Sequence, residues 1–231
     1  MKIAGLQKFT LIDYPDKIAC TVFFAGCNFR CPWCYNPELV LPEKIKEQPR
    51  IPEKEFFNFL KERKEILEGC VLCGGEPMIN KDLPQFCNKI KRLDYLIKLD
   101  TNGSNPRMLE KLIDEKLIDY VAIDIKAPRE KYSKLAGREV SVRNVEKSIK
   151  VLKQSGMDFE MRTTVVPGLL KKEDILRIAK WVEPASRYIL QNFRPEKTID
   201  PRFEKIKPYP EDYLLEIQKA VSPFFEICQI R

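Results

Sequence analysis

The sequence predicts an α/β protein, an incomplete (β/α)6 TIM-like barrel with a parallel sheet and helices outside it. Three observations predict this. Short apolar runs alternate with helix-period runs along most of the 231 residues, and strand–helix alternation argues for a parallel sheet. Six such runs occur, with no seventh or eighth, which suits a barrel left incomplete. Several runs also carry charge on one face only, near their C-terminal ends, where barrel enzymes keep their sites.

The strands read in order as Ile18–Phe24, Cys70–Cys73, Tyr95–Asp100, Tyr120–Ile125, Phe159–Val165 and Tyr188–Gln191. Helices are expected near Glu53–Leu67, Leu83–Arg92, Arg107–Glu115, Val142–Gln154 and Lys172–Val182. The fourth puts Val142, Val145, Ile149 and Leu152 on one face, and the fifth Ile175, Ile178, Ala179 and Val182. A last helix near Pro210–Val221 and a short strand near Phe225–Ile230 finish the chain. Residues 1–231 read as one domain, with a core over about 15–194 and the C-terminal helix and strand within 208–231. Two Pro-rich connectors, Pro37–Pro52 and Pro195–Pro210, are too long for simple turns and read as ordered coverings near a site.

Composition narrows the chemistry. Hydrophobic residues make up 44% of the chain, enough for a packed core. There is no His, which excludes Ser-His-Asp hydrolysis, Cys-His proteolysis and His-bearing metal sites. Neutral-pH chemistry must then come from carboxylates, Lys, thiolates or a cofactor. The net charge of +7 is interleaved with acids along the helices, so solvated helix faces are expected and not nucleic-acid binding. No apolar run reaches the roughly 20 residues of a membrane span, and Met1–Gly5 has no signal-peptide pattern. A cytoplasmic protein with reduced thiols is expected.

The most telling stretch is Gly26-Cys27-Asn28-Phe29-Arg30-Cys31-Pro32-Trp33-Cys34-Tyr35-Asn36-Pro37. It sets Cys27, Cys31 and Cys34 in a Cys-x3-Cys-x2-Cys spacing just after the first strand. Zinc sites and ordinary iron–sulfur clusters want four protein ligands. Three thiolates with no fourth nearby point instead to a [4Fe-4S] cluster with one iron open, the iron that S-adenosylmethionine (SAM) chelates in radical SAM enzymes. A structural zinc loop borrowing a distant Cys is the plainer alternative.

Period two places further polar groups where buried parallel strands are normally apolar. Lys98 shares a face with Asp100, Asp124 with Lys126, and Glu160 with Arg162 and Thr164. Such charges are costly unless paired or ligand-bound, so an ion-pair lattice without a ligand is the alternative to a binding site. The second strand runs into Gly74-Gly75-Glu76-Pro77, where glycines let backbone approach a ligand. One strand after the cysteine loop, this reads as the site for the SAM amino group, with Glu76 holding the loop.

Taken in order, Cys27–Cys34, Gly74–Pro77, Asp100-Thr101-Asn102-Gly103, Asp124-Ile125-Lys126 and Val165–Gly168 resemble the glycyl-radical-enzyme activating enzymes of the radical SAM superfamily. The opening, with Leu11-Ile12-Asp13-Tyr14-Pro15 and then the cysteine loop, is most similar to the short anaerobic ribonucleoside-triphosphate reductase activating proteins. The resemblance covers roughly residues 3–194. It implies an oxidoreductase of anaerobic metabolism that reductively cleaves SAM and takes a hydrogen from a glycine Cα of a partner enzyme.

It further implies cluster ligation by Cys27, Cys31 and Cys34, and adenine contacts from Trp33 and Tyr35. Gly74, Gly75 and Glu76 would form the ammonium site. Asp100, Asp124 and Lys126 would lie near the SAM carboxylate and ribose, with Arg162 on the inner wall and Phe193 at the end of the last strand. No side chain is given a catalytic role, because the radical chemistry is carried by the cofactor. A small cation near Asp100 and Asp124 is a further expectation, and a flavodoxin or ferredoxin-type reductant is implied as partner.

Two positions depart from the family pattern. Tyr35 stands where His is common, and Phe193 or Asn192 where the last strand can end in His. Cys20, Cys70, Cys73, Cys87 and Cys228 fit no family role and read as buried thiols. The rival readings are a radical SAM enzyme acting on a small molecule, in the manner of 7-carboxy-7-deazaguanine synthase, and a non-catalytic iron–sulfur or zinc protein.

Overall fold

A computed structural model describes residues 1–231. Its eight strands run in sequence order through one mostly parallel sheet, with β1 (Ile3–Thr10) and β8 (Phe225–Ile230) at its ends. The chain divides into two compact units.

The first unit comprises residues 1–28, 38–101 and 105–121. It holds β1, β2 (Ala19–Phe24), the short helices α1 (Pro37–Val40) and α2 (Pro42–Glu47), and α3 (Glu53–Glu62). Then follow β3 (Gly69–Gly74), α4 (Leu83–Lys91), β4 (Leu96–Thr101), α5 (Pro106–Asp114) and the start of β5 (Tyr120–Asp124). β2, β3 and β4 are parallel neighbours. Their interior is mostly apolar, with Val22, Phe24, Val71, Leu72, Ile97 and Leu99 buried, as are Phe86 and Ile90 of α4 and Leu109 and Leu112 of α5, while Thr21, Lys98 and Thr101 are the polar side chains these strands bury.

β1 is an addition to the expected strands, antiparallel to β2. Its pattern does not alternate: Gly5 and Lys8 interrupt it, and the register shifts between Ile3 and Gly5 and again between Gln7 and Thr10. The first Pro-rich connector folds into α1 and α2, and Ile51 N–H returns to the Ile3 carbonyl at 3.0 Å. α3 stops at Glu62, short of the expected Leu67. Glu68 is taken up by the chain before β2, its carboxylate accepting from Ile18 N–H at 3.0 Å and from Lys17 at 3.3 Å.

The second unit comprises residues 29–37, 102–104 and 122–231. It holds the rest of β5, then α6 (Tyr132–Leu135), α7 (Val142–Ser155), β6 (Asp158–Val165), α8 (Lys172–Val182), β7 (Ala185–Asn192), α9 (Glu211–Val221) and β8. β6, β7 and β8 are parallel, so the expected terminal strand extends the parallel sheet. α8 buries the four apolar residues assigned to its inner face. On α7, Val145, Ile149 and Leu152 are buried but Val142 is only half-buried. The buried face also includes Ser148, whose hydroxyl donates to the Gly103 carbonyl at 2.7 Å. α7 stops at Gly156, which takes a left-handed φ of +68°; without a Cβ this costs little.

Candidate functional site

In the first unit the cysteine loop leaves β2 at Ala25. Gly26 N–H donates to the Leu39 carbonyl at 2.8 Å, and Gly26 C=O accepts from Glu76 N–H at 2.7 Å. Cys27 follows, half-buried. The glycine pair is expected to let backbone approach a ligand, and at Gly75 the chain itself makes a close approach. A Cβ there would sit 1.9 Å from the Gly26 carbonyl oxygen, so the missing side chain admits the chain's own cysteine loop. Gly74 closes β3 opposite Phe24. The Glu76 carboxylate is buried, accepting from Met78 N–H at 3.1 Å and from the Thr101 hydroxyl at 2.7 Å. Lys98 and Asp100 form an ion pair at 2.5 Å, with Lys98 fully inside.

The second unit carries the rest of the loop. Cys31 and Trp33 are buried, Cys34 and Tyr35 half-buried. Cys34 N–H donates to the Cys31 carbonyl at 3.0 Å, a turn that brings these two cysteines onto one bend. Phe29 packs edge-on against Tyr132 with ring centroids 6.4 Å apart. The Tyr35 hydroxyl accepts from Arg194 N–H at 2.8 Å, and its ring lies 6.1 Å from Phe193. Phe193 is itself buried and also meets Phe203. Burial pushes the Tyr35 hydroxyl above its ordinary pKa, against the opposing Arg194 amide.

Inside the same unit, Asp124 receives Arg162 Nε at 2.8 Å on one oxygen and Lys126 Nζ at 3.0 Å on the other. Burial alone would raise the Asp124 pKa, but Arg162 and then Lys126 outweigh it and hold the carboxyl well below the usual range. Lys126 moves the opposite way. Burial would lower its pKa, yet the Asp124 carboxylate and the Cys31 sulfur, with Cys34 behind, raise it well above an ordinary lysine. The structure therefore brings Cys31, Cys34, Asp124, Lys126 and Arg162 into one electrostatic neighbourhood. Glu160, fully buried, faces Arg162 at 3.9 Å and Arg231 at 3.4 Å. Arg231 lies beyond the strand pattern, and nothing in the sequence flags it.

The expected small cation has no donor set. Asp100 is already balanced by Lys98, and Asp124 by Lys126 and Arg162. No group of three or more His, Cys, Asp or Glu side chains is arranged to hold a metal ion. None of the eight cysteines is in a disulfide, and a donor set of three thiols on one short loop fits a cluster that takes one thiolate per iron. Cys20, Cys70 and Cys87 are buried as expected, whereas Cys73 and Cys228 are only half-buried. Desolvation pushes the Cys70 thiol well up, aided by its hydrogen bond with Cys20, and raises Cys87 to about 12. Both stay protonated and inert.

The Asp124 pairs yield a testable expectation. Asp124→Asn removes the carboxylate that pairs with Lys126 and Arg162, both largely inside, and leaves Arg162 the longer contact with Glu160 at 3.9 Å. Fully buried pairs lose about 3–5 kcal/mol on such a change, and residual hydration here reduces that to about 2 kcal/mol. Because the folded-state pKa is depressed, the stabilisation is complete above the unfolded value, about 3.9, and is lost as pH falls towards the folded value. Urea denaturation should show the gap between wild type and variant narrowing steadily below about pH 4. A gap of constant size from pH 7 to pH 3 would contradict the pairing.

The chain is similar to known proteins in sequence and in fold. The model of the radical SAM superfamily matches residues 21–182. A protein of Methanocaldococcus jannaschii, provisionally named a glycyl-radical enzyme activating enzyme, is 34% identical over 99% of this chain and 95% of its own length. The pyruvate formate-lyase-activating enzyme of Clostridium pasteurianum is 27% identical over 79% of this chain and 76% of its own. Among solved structures, Streptococcus suis SuiB shares the fold with a TM-score of 0.69 at 17% identity, over 90% of this chain. The chain spans 48% of SuiB.

Proposed function

The chain belongs to the radical SAM superfamily, and on that premise we propose that it installs a glycyl radical on a partner enzyme, an anaerobic ribonucleoside-triphosphate reductase. The observation that carries this reading is end-to-end similarity to a relative named for glycyl-radical activation. Such similarity leaves little of the chain over for a different task.

Cys27, Cys31 and Cys34 would hold the [4Fe-4S] cluster. Trp33 and Tyr35 flank the third thiolate and are the candidates for the adenine. The Gly74–Glu76 backbone is the candidate for the SAM ammonium, with Asp100, Asp124, Lys126 and Arg162 facing its carboxylate and ribose. When bound and reduced by one electron, this pair of cofactors supplies a 5′-deoxyadenosyl radical able to take hydrogen from a glycine Cα. The chain's own residues bind, orient and exclude water. Lys126 stays charged beside the thiolates, which its positive charge stabilises, and Asp124 keeps Lys126 and Arg162 in place. Phe193, buried behind Tyr35, fixes that ring from the rear. A flavodoxin or ferredoxin-type protein would deliver the electron. No helix is long and apolar enough to cross a membrane.

Anaerobic reconstitution with iron and sulfide, then dithionite plus SAM, should yield 5′-deoxyadenosine. Adding candidate glycyl-radical enzymes, reductase and formate-lyase types among them, should give a glycyl-radical EPR doublet with the reductase. A doublet only with another candidate changes the target. Deoxyadenosine without any protein radical would transfer the proposal to a small-molecule substrate.

A further inference from the structure

The cysteine loop of the second unit is held from two sides. On one side Arg30 N–H donates to the Ala136 carbonyl at 2.8 Å, and a Cβ on Gly137 would fall 2.0 Å from the Arg30 oxygen. On the other, Asp200 N–H donates to the Pro32 carbonyl at 2.9 Å and Arg194 N–H to the Tyr35 hydroxyl at 2.8 Å. Residues 134–139 and 194–207 therefore form the rim of this loop. They contain seven Lys and Arg against four Asp and Glu, so these 20 residues carry three of the chain's seven surplus positive charges.

The acids on this rim are partly committed already. Asp200 pairs with Arg202 at 2.6 Å, and Glu204 accepts from Thr198 N–H at 3.1 Å. Lys134, Arg138 and Arg194 are exposed and form no ion pair with a carboxylate.

We propose that this basic rim is the docking surface for an acidic one-electron carrier, a small flavin or iron–sulfur protein with carboxylates around its own redox centre. The inference rests on the radical SAM reading above and adds where the electron enters. Electron transfer requires the donor's centre to come close to the cluster, and the segments that hold the cluster loop are what such a donor must touch. Opposite charge raises the encounter rate and orients the approach. One electron leaves the donor and arrives at the cluster, and no bond or proton is exchanged at the surface.

The test uses reconstituted full-length protein and a reduced acidic flavodoxin as probe, mixed anaerobically in a stopped-flow instrument. Cluster bleaching should slow as salt is raised from about 20 to 300 mM, because exposed charges are screened. Lys134→Glu/Arg138→Glu and Arg194→Glu should each slow it about 10-fold at low salt. Calorimetry should show matching weaker binding of oxidised flavodoxin. Reduction by dithionite, and deoxyadenosine formed with it, should be unchanged in both variants. Lys150→Glu, exposed on α7 and outside both rim segments, controls for net charge. Wild-type rates in the rim variants, or equal slowing by Lys150→Glu, would overturn the proposal. Failure of dithionite plus SAM to give deoxyadenosine would instead strike the radical SAM reading, and the binding data would still decide this one.

Discussion

Cys31→Ala is expected to reduce cluster retention to background and to remove SAM cleavage with it. Cys31 is the most buried of the three loop cysteines, and its carbonyl, not its sulfur, closes the turn with Cys34 N–H. Alanine keeps that carbonyl and should leave the loop's path intact. What is lost is one thiolate of three, and a cluster with two protein thiolates has two irons open to solvent, where one is needed for SAM. Cys20→Ala or Cys87→Ala removes a buried thiol from the core of the first unit. These variants should lose some stability, about 1–2 kcal/mol for a small cavity, while retaining iron. Iron and sulfide analysis, the visible absorbance of the reconstituted protein and deoxyadenosine yield separate the outcomes. Full cluster content in Cys31→Ala would remove Cys31 from the ligand set.

The contrast between those cysteines shows which features of this molecule are encoded locally in its sequence. Cys-x3-Cys-x2-Cys is a local pattern, so its chemistry is legible from spacing alone. The same holds for the charged face of β5, where period two predicts that Asp124 and Lys126 meet, and they do at 3.0 Å. β8 is legible because Phe225–Ile230 is bounded by Pro223 and an amphipathic helix. β1 is not, because its two register shifts break the alternation that identifies a strand. Three further features depend on contacts far apart in sequence, and no local pattern encodes them. These are the Arg231–Glu160 pair, the strap bonds from Arg194 and Asp200 to the cysteine loop, and the commitment of Glu76 to Thr101. The cation expected near Asp100 and Asp124 fails for a different reason. Counting carboxylates ignores the cations that period two already places beside them.

Gly75→Ala is expected to be strongly damaging for a change of a single methyl. The new Cβ would lie 1.9 Å from the Gly26 carbonyl oxygen and 3.1 Å from that of Leu39, both backbone atoms with no rotamer to yield. Relief must come from moving β3's end away from the loop. That motion breaks Glu76 N–H to Gly26 C=O at 2.7 Å and strains Gly75 N–H to Phe24 C=O at 2.9 Å. Overpacking a tight core costs about 1–3 kcal/mol where side chains can adjust. Two displaced backbone hydrogen bonds add about 1 kcal/mol each, so the total exceeds about 3 kcal/mol. Gly156→Ala is the natural comparison. It faces open space, with nothing within 4 Å of the added carbon, and should cost only the left-handed backbone strain of about 1 kcal/mol. Because Gly26 immediately precedes Cys27, the Gly75 variant should lose cluster affinity as well as stability, whereas Gly156→Ala should keep its cluster. Denaturant melts of the cluster-free proteins, paired with iron retention after desalting, measure the two effects separately. If Gly75→Ala melts within about 1 kcal/mol of wild type and holds its iron, then the two loops are not locked together through this contact. The glycine would then have to be explained by something that approaches it from outside the chain.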